Sequence, residues 1–325
     1  MEQASENLDN LEEEVFPLLK LPSIGMENAL SIMTPLELIE LSSLSVRSKT
    51  TVKNFFRIKP KFETHLNIID GAHIRISKNY QDWFLKKINK PGIEEERRFM
   101  NNEMNELTKA FEYIKEVLGC DFKSVRIDLD KSPTENRRLI DWLRSQQPSF
   151  DTIAVEGNYL NYDDDVKYLM ENLKVTGEFI PVKLRHADDF RLEIPNNLRV
   201  LQVEHSGFIK FEQFMKLDCE QIVFFQSPLT SQEIHRFLKS WMACESHLNL
   251  KALQVSIVHP DVIDAVNGVP HEEVEIDDNI QEVFRRYAFF HLQTRGFNIT
   301  RSDGKIATAC VLQSRDKSRL YLVLH

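Results

Sequence analysis

The sequence has no run of about 18 consecutive apolar residues, the length that a membrane-spanning helix needs. Its acidic first fifteen residues lack the basic segment and apolar core of a secretory signal. It also contains no P-loop, no nucleophile elbow and no G-x-G-x-x-G motif. These absences argue against a membrane partner and give no support to an enzyme, and they predict a protein of the cytoplasm or nucleus.

Cysteine is scarce, and its spacing is uninformative. The four cysteines are far apart and form neither a C-x-x-C pair nor a disulfide framework: Cys120, Cys219, Cys244 and Cys310. We therefore predict reduced, mostly buried thiols rather than disulfides or a zinc site.

Basic charge is also in short supply. The formal net charge is -9, and residues 1–14 hold six acids and no Lys or Arg, so the remaining chain carries -3. This pattern predicts a disordered acidic tail over 1–14. The remaining body has no basic excess of the kind that binds nucleic acid, so no nucleic-acid partner is expected.

The segment 15–57 reads as three short helices. Ser23 is the expected N-cap of the first, whose apolar positions fall on one face: Met26, Ala29, Leu30 and Met33. For the second helix, Thr34 is the expected N-cap, with Pro35 at the first helical position and Glu37 closing a capping box. A third helix is predicted through "SVRSKTTVKNFF", ending near Arg57.

The second helix has more apolar surface than one buried face requires. At 100° per residue its apolar positions span about 220°, against roughly 100° for a helix that buries one face. A three-helix segment this small also rarely closes its own core. The pattern predicts two neighbours for this helix, the second being either the C-terminal domain of the same chain or another protein.

From about residue 60 the chain alternates between strands and helices, which is typical of parallel α/β structure. The predicted strands lie at 124–129, 151–157, 198–206, 221–227 and 250–258, and the helices at 135–146, 209–218 and 231–246. A further strand is expected at 179–185 or at 190–194. The strand spacing favours an irregular leucine-rich-repeat-like domain, and a closed α/β domain is the alternative.

The C-terminal segment has a different pattern. "GFNITRSDGKIATACVL" (296–312) contains two β-like runs around Asp303-Gly304, which predicts a β-hairpin with a type I′ turn. "SRLYLVLH" would add a final strand.

Three short motifs have simpler structural interpretations. His259-Pro260-Asp261 matches the J-domain tripeptide but follows a strand and resembles a helix start. Asp163-Asp164-Asp165 lacks the glycine and distal glutamate of a cation loop, and acids suit a first helical turn. "HEEVE" (271–275) is not H-E-x-x-H. We predict no metal site, no cofactor and no catalytic residue.

The segment "FPLLKLPSIGMENALSIMTPLELIELSSLSVRSKTTVKN" resembles an F-box, the helical module that joins a substrate receptor to the Skp adaptor of an SCF-type cullin ubiquitin ligase. It departs from the general pattern in lacking the acid usual soon after Leu-Pro and the tryptophan common in the third helix. The resemblance implies an adaptor-binding set of ten residues: Leu21, Pro22, Met26, Leu30, Met33, Pro35, Leu36, Leu38, Ile39 and Leu41.

Two later segments, 229–257 and 296–312, resemble the type-2 F-box-associated domain. The expected organisation is an acidic tail (1–14), an F-box (15–57) and an F-box-associated α/β substrate-binding domain (58–325). The resemblance implies a non-catalytic receptor that binds a Skp-type adaptor, through it a cullin, and an unidentified protein substrate. Two other hypotheses stay open: an adaptor-bound binding protein without a role in ubiquitin transfer, and a hydrolase or transferase built on the α/β part.

Overall fold

A computed structural model describes residues 18–57, 62–69, 72–86, 96–158, 161–257, 262–289, 294–313 and 318–325. The chain divides into two compact units. Unit 1 comprises residues 1–63, 76–84 and 91–120, and unit 2 comprises 64–75, 85–90 and 121–325. The predicted acidic tail, 1–14, and the tripeptide at 259–261 lie outside the described residues.

Unit 1 is helical over most of its described length. After a single 3₁₀ turn, Leu18–Lys20, it contains α1 (Ser23–Ile32), α2 (Pro35–Ser43), α3 (Val46–Phe56) and α4 (Glu96–Leu118). The three helices predicted between residues 15 and 57 are therefore present. The long α4 was not predicted, although the spacing of Leu107, Phe111, Ile114 and Leu118 has the period of a helix.

Of the helices α1, α2 and α3, two have a side chain that caps the N-terminus. The hydroxyl of Thr34 accepts a hydrogen bond from the backbone N–H of Glu37, and the Glu37 carboxylate accepts one from the Thr34 N–H at 2.7 Å. The capping box is confirmed. The predicted cap at Ser23 is wrong, because the N-cap residue of α1 is Pro22 and no side chain caps it. Ser45, instead, caps α3 through Ser48.

The helix α4 completes the core of unit 1. Its apolar face contributes buried side chains to the same unit as those of α1 to α3: Leu30, Leu38, Val52, Phe56, Phe111, Ile114, Val117 and Leu118. Helix α2 contacts both α3 and α4. The two neighbours that the sequence requires for α2 are thus both found within unit 1.

Polar contacts fix α4 against the other helices. The hydroxyls of Ser42 and Tyr113 lie 2.9 Å apart, and the Lys49 ammonium donates to the Glu116 carboxylate at 2.8 Å. The hydrogen bond from Lys49 lowers the pKa of Glu116. Exposed ion pairs contribute little stability themselves. These polar contacts therefore orient α4 against the other helices more than they stabilise it.

Unit 2 contains most of the strands. They are β1 (Glu63–Asn67), β4 (Phe122–Asp128), β5 (Phe150–Glu156), β6 (Val175–Val182), β7 (Val200–Val203), β8 (Gln221–Ser227), β9 (Ala252–Ile257), β10 (Glu272–Glu275), β11 (Arg295–Thr300), β12 (Ile306–Gln313) and β13 (Ser318–Leu324). Residues of β2 (His73–Lys78) and β3 (Gln81–Lys86) are divided between the two units.

The sheet of unit 2 is parallel at one end and antiparallel at the other. Its strand order is β10-β11-β12-β13-β9-β8-β7-β6-β5-β4-β1. Strands β9 to β1 in this order are parallel, and β10 to β13 pair in antiparallel fashion, with β13 joined to β9. The helices of unit 2 lie between strands along the chain: α5 (Pro133–Gln146), α6 (Asp163–Asn172), α7 (Phe211–Phe214), α8 (Ser231–Met242), α9 (Val262–Asn267) and α10 (Asp278–Arg285).

The predicted α/β alternation is confirmed, with three local corrections. The additional strand is β6, which overlaps the predicted position 179–185 at residues 179–182, and 190–194 is not a strand. The helix predicted at 209–218 is one turn, α7. The hairpin β11–β12 forms, but residues 301–305 connect it rather than a two-residue turn, and within the Asp303-Gly304 pair only Gly304 has positive φ (88°).

One end of the sheet is covered by α10. Apolar side chains from α10 and the residues after it pack on β8, β9, β13 and β12, with Phe284 and Phe289 at the centre of the cluster. Their strand partners point to the same face: Cys310 is opposite Tyr321, Ala252 is opposite Val323, and Val223 is opposite Gln254, two residues from Ala252. The part of this face that carries these side chains is therefore covered by α10.

A histidine is buried in the helical side of unit 2. His247 is 4% exposed and lies between the rings of Phe214 and Phe237, with centroid distances of 4.8 and 4.9 Å. Burial lowers its pKa to about 4. The folded state therefore favours the neutral imidazole, while the unfolded chain protonates near pH 6.5.

This difference predicts an acid-sensitive core. The stability that neutral His247 contributes is complete above pH about 6.5 and is lost as the pH falls toward 4, by about 3 kcal/mol at pH 4. We expect His247→Asn, which suits the positive φ of this residue (52°), to flatten the pH dependence of the free energy of unfolding in urea. Equal slopes for His247→Asn and wild type between pH 4 and 7 would contradict this assignment, and His271→Asn is the matched control outside the aromatic core.

Candidate functional site

Unit 1 exposes four large apolar side chains between residues 24 and 46. Ile24, Ile32, Leu44 and Val46 have 74, 84, 76 and 85% of their surface accessible. We call them the exposed apolar set. Ile32 ends α1, Leu44 follows α2 and Val46 begins α3, so these positions lie at helix ends that the core does not cover. Four large exposed apolar side chains within 23 residues make this segment a candidate surface for binding another protein.

Most of the ten predicted adaptor-binding residues are less exposed than the exposed apolar set, and they differ among themselves in burial. Leu30 and Leu38 are 2 and 0% exposed, and Pro35 is also buried, so these three are packing residues of unit 1. Pro22 is exposed, and the other six are partly buried: Leu21, Met26, Met33, Leu36, Ile39 and Leu41. A role for any of the ten in adaptor binding stays a prediction.

The exposed apolar set was missed by the sequence reasoning. The helical wheel counts the residues within α2, whereas three members of the set lie at or beyond the end of a helix. An apolar residue directly next to a cap, such as Leu44 before Ser45, is the signal that would have found them.

Unit 2 has a groove at the carboxyl ends of its parallel strands. The histidine pocket, of about 650 Å³, is lined mainly by residues that follow β6 and β7, among them Arg185, His186, His205 and Lys210. The arginine pocket, of about 320 Å³, is lined among others by Val182, Glu204, Phe225 and Arg319. Gln226 lines both pockets, and we call the two together the carboxyl-end groove.

Strand irregularity positions Gln226. The register between β8 and β9 shifts between Phe224 and Ser227, and Gln226 has a positive φ of 50°. A bulge of this type redirects a side chain at the end of a strand. The amide oxygen of Gln226 lies 2.8 Å from Nδ1 of His205, which fixes both groups at the shared boundary of the pockets.

His186 forms a rigid wall of the histidine pocket. Its Nδ1 lies 2.6 Å from the carboxylate of Asp163, and its ring stacks on Phe190 with a centroid distance of 4.4 Å. The second oxygen of Asp163 accepts the backbone N–H of Ala187 at 2.9 Å. Burial lowers the pKa of His186 although Asp163 opposes the shift. Asp163 therefore holds a loop in place and is not a simple solvated acid.

The groove does not have the geometry of a hydrolase triad. Ser206 follows His205 in sequence, but its hydroxyl donates to the carbonyl oxygen of Phe225 at 2.9 Å. The imidazole of His186 contacts Phe208 edge-on, at 4.7 Å between centroids, beside its bond to Asp163. The serine is thus bound to backbone and the histidine to a loop-anchoring carboxylate, which gives no nucleophile–base pair.

Carboxylates near the ends of β4 and β5 also have protein partners. Asp130 accepts a hydrogen bond from Tyr162, whose pKa burial raises to about 12, with this bond as the second cause. Glu156 pairs with Lys183 at 2.5 Å. Burial raises the pKa of Asp128. Within the described ranges, no group of three or more His, Cys, Asp or Glu side chains could hold a metal ion, and no helix is long and apolar enough to cross a membrane.

Comparison with known proteins identifies part of unit 2. Residues 189–255 match the family model FBA_2, described as F-box associated. The recognised resemblance to a type-2 F-box-associated domain is confirmed for this range, which contains most of the segment 229–257 and none of 296–312. No curated protein and no solved structure matches the chain.

Leu38 in α2 is buried and Leu44 after α2 is exposed, so substitutions at the two positions should affect stability differently. Leu38→Ala removes a fully buried side chain and should lower the free energy of unfolding by about 2–5 kcal/mol. Leu44→Ala removes a side chain that is 76% exposed and should change it by less than about 0.5 kcal/mol. Urea denaturation of the full chain measures both, and a large loss for Leu44→Ala would contradict the assignment of Leu44 to the surface.

Proposed function

We propose that the protein is the substrate-recognition subunit of an SCF-type E3 ubiquitin ligase. Its first three helices dock on a Skp-type adaptor that connects to a cullin, and unit 2 binds a protein target for ubiquitination. The observation that carries this proposal is the F-box-associated match at 189–255, downstream of a helical segment that resembles an F-box.

The exposed apolar set supports the adaptor half of the proposal. Core residues of α1 to α3 are satisfied by α4, so the apolar side chains at the helix ends are free for an external partner. We infer that Ile24, Ile32, Leu44 and Val46 contribute to adaptor docking, together with the accessible members of the ten-residue set. Burial of four such side chains is worth about 1.5–3 kcal/mol each at best, before the cost of association.

The receptor function requires no chemistry from this chain. A receptor contributes proximity and orientation between a target and the conjugating enzyme. The hydrogen-bonding pattern around His186 and Ser206 agrees with a binding role. We also propose that the parallel part of unit 2 is an irregular leucine-rich-repeat-like array, since neighbouring strands from β4 to β9 succeed one another along the chain.

Adaptor docking is tested by charge placed in the exposed apolar set. We expect Ile32→Asp with Leu44→Asp to reduce co-purification of a recombinant Skp-type adaptor at least tenfold, because carboxylates would be buried at the interface. The free energy of unfolding should stay near that of wild type, since both side chains are exposed. Asn54→Asp, an exposed position on α3, is the control. A wild-type chain that fails to bind the adaptor would overturn the proposal.

A reconstituted ubiquitination assay separates a ligase receptor from an adaptor-bound module of another kind. The assay contains the adaptor, the cullin, the conjugating enzyme and a target protein that is cross-linked to the receptor. The receptor should direct ubiquitin to this target. The Ile32→Asp, Leu44→Asp variant should not. Adaptor binding without any ubiquitin transfer would favour the alternative module.

A further inference from the structure

We propose that the carboxyl-end groove is the target-binding site, and that it takes an extended protein segment with an acidic side chain and a large apolar side chain. This inference rests on the proposed receptor function. It adds the position of the target site and the chemistry of the target.

Two cations of the histidine pocket have no carboxylate partner. The side chain of Arg185 is exposed and makes no hydrogen bond or ion pair with any residue in the described ranges. The ammonium of Lys210 donates to the carbonyl oxygen of Gly207 at 2.8 Å, a neutral partner. Elsewhere in unit 2, Lys251 pairs with Glu220 and Arg199 with Glu178. Asp188 is a lining carboxylate, so the pocket keeps an excess of positive charge.

The arginine pocket continues this pattern beside an apolar wall. Arg319 donates from Nε to the Ser256 hydroxyl at 3.0 Å and from Nη1 to the Tyr321 hydroxyl at 3.0 Å. These bonds use two of its five N–H donors and neutralise no charge. Its guanidinium also lies over the ring of Phe225, 5.6 Å from the centroid. The cation is thus partly desolvated and placed for an incoming carboxylate.

The apolar part of this pocket fits one large side chain. Phe225 is partly buried, and Val182 and Ile257 line the same space of about 320 Å³. Small-molecule sites begin at about this volume, so a whole folded partner does not enter it, whereas one aromatic or aliphatic side chain does. Glu204 also lines the pocket, and its carboxylate accepts the neutral backbone N–H of Lys183 at 2.6 Å, so its charge balances that of Arg319 and the positive excess of the groove comes from the histidine pocket.

The groove is fixed before a ligand arrives. Asp163 and Phe190 hold His186, and the bonds of Ser206 and His205 hold Phe225 and Gln226. A rigid site loses little conformational entropy on binding, which favours recognition of a short segment. The neighbouring face of β8, β9, β13 and β12 is occupied by α10, and the groove at the strand ends stays open.

Peptide selection tests this proposal directly. The full chain in complex with the adaptor is used to select from a phage-displayed library of random dodecapeptides, and an enriched peptide is measured by fluorescence polarisation. We expect Asp or Glu together with Phe, Leu, Trp or Tyr in the enriched peptides. Arg185→Glu with Lys210→Glu should weaken binding at least tenfold, and added salt should weaken wild-type binding as well.

The control is Lys174→Glu, an exposed cation directly before β6, at the amino end of the strand and thus away from the groove. It should leave peptide affinity unchanged. Enrichment of neutral or basic peptides, equal losses for the control and the double variant, or no enriched peptide would each overturn the groove proposal.

Adaptor binding distinguishes this failure from a failure of the receptor function. Arg185 and Lys210 belong to unit 2, so the double variant should co-purify with the adaptor as wild type does. If wild type does not bind the adaptor, the receptor function fails. The peptide measurement on the full chain alone then still decides whether the groove binds acidic segments.

Discussion

The apolar side chains of a strand must be covered, and the two faces of the sheet in unit 2 differ in how far this is achieved. Strands β8 and β9 carry long buried runs, for example Leu253 and Val255 in β9, each 0% exposed, whereas β6 and β7 alternate between buried and more accessible residues. On β8, β9, β13 and β12 the second face is closed by α10 through Phe284 and Phe289. Beyond α10, the two pockets open at the carboxyl ends of the strands, where parallel α/β proteins generally bind their ligands.

Unit 1 satisfies the same burial requirement with helices. A short three-helix segment cannot enclose a core, and α4 provides the missing surface through Phe111, Ile114 and Leu118. Because α4 takes the side of α2 that would otherwise be exposed, the remaining apolar exposure shifts to the ends of the helices. The large exposed apolar side chains of the first three helices are consequently found at the helix ends, as at Ile32 and Leu44, and not among the most apolar positions of α2.

Local chemistry made much of the fold predictable. The capping box of Thr34 and Glu37 and the strand "QIVFFQS" depend on neighbouring residues alone, and both were located correctly. The helix α4 was overlooked, and the cap at Ser23 failed because Pro22 already occupies the capping position. The prediction of a two-residue turn was wrong, and the longer connection contains an ion pair in which the exposed Asp303 carboxylate binds the guanidinium of buried Arg301 at 2.6 Å.

The candidate site was less predictable, because its parts come from distant segments. His186 meets Asp163, Phe190 and Phe208 only after the strands are in register, and Gln226 reaches the groove through a bulge that has no sequence signature. The helical wheel correctly required two neighbours for α2. It had no means to identify α4 as one of them, since the two helices are more than 50 residues apart in the sequence.

The walls and the rim of the carboxyl-end groove are formed by different residues, and this separation has an evolutionary consequence. Asp163, His186 and Ser206 hold its walls through buried bonds, whereas Arg185, Lys210 and Gln226 are exposed at its rim. Substitution of the exposed residues changes the charge offered to a ligand at little cost in stability. A gene duplicate could therefore acquire a different target through a few rim substitutions while the scaffold stays intact, which makes this architecture suited to rapid diversification of recognition.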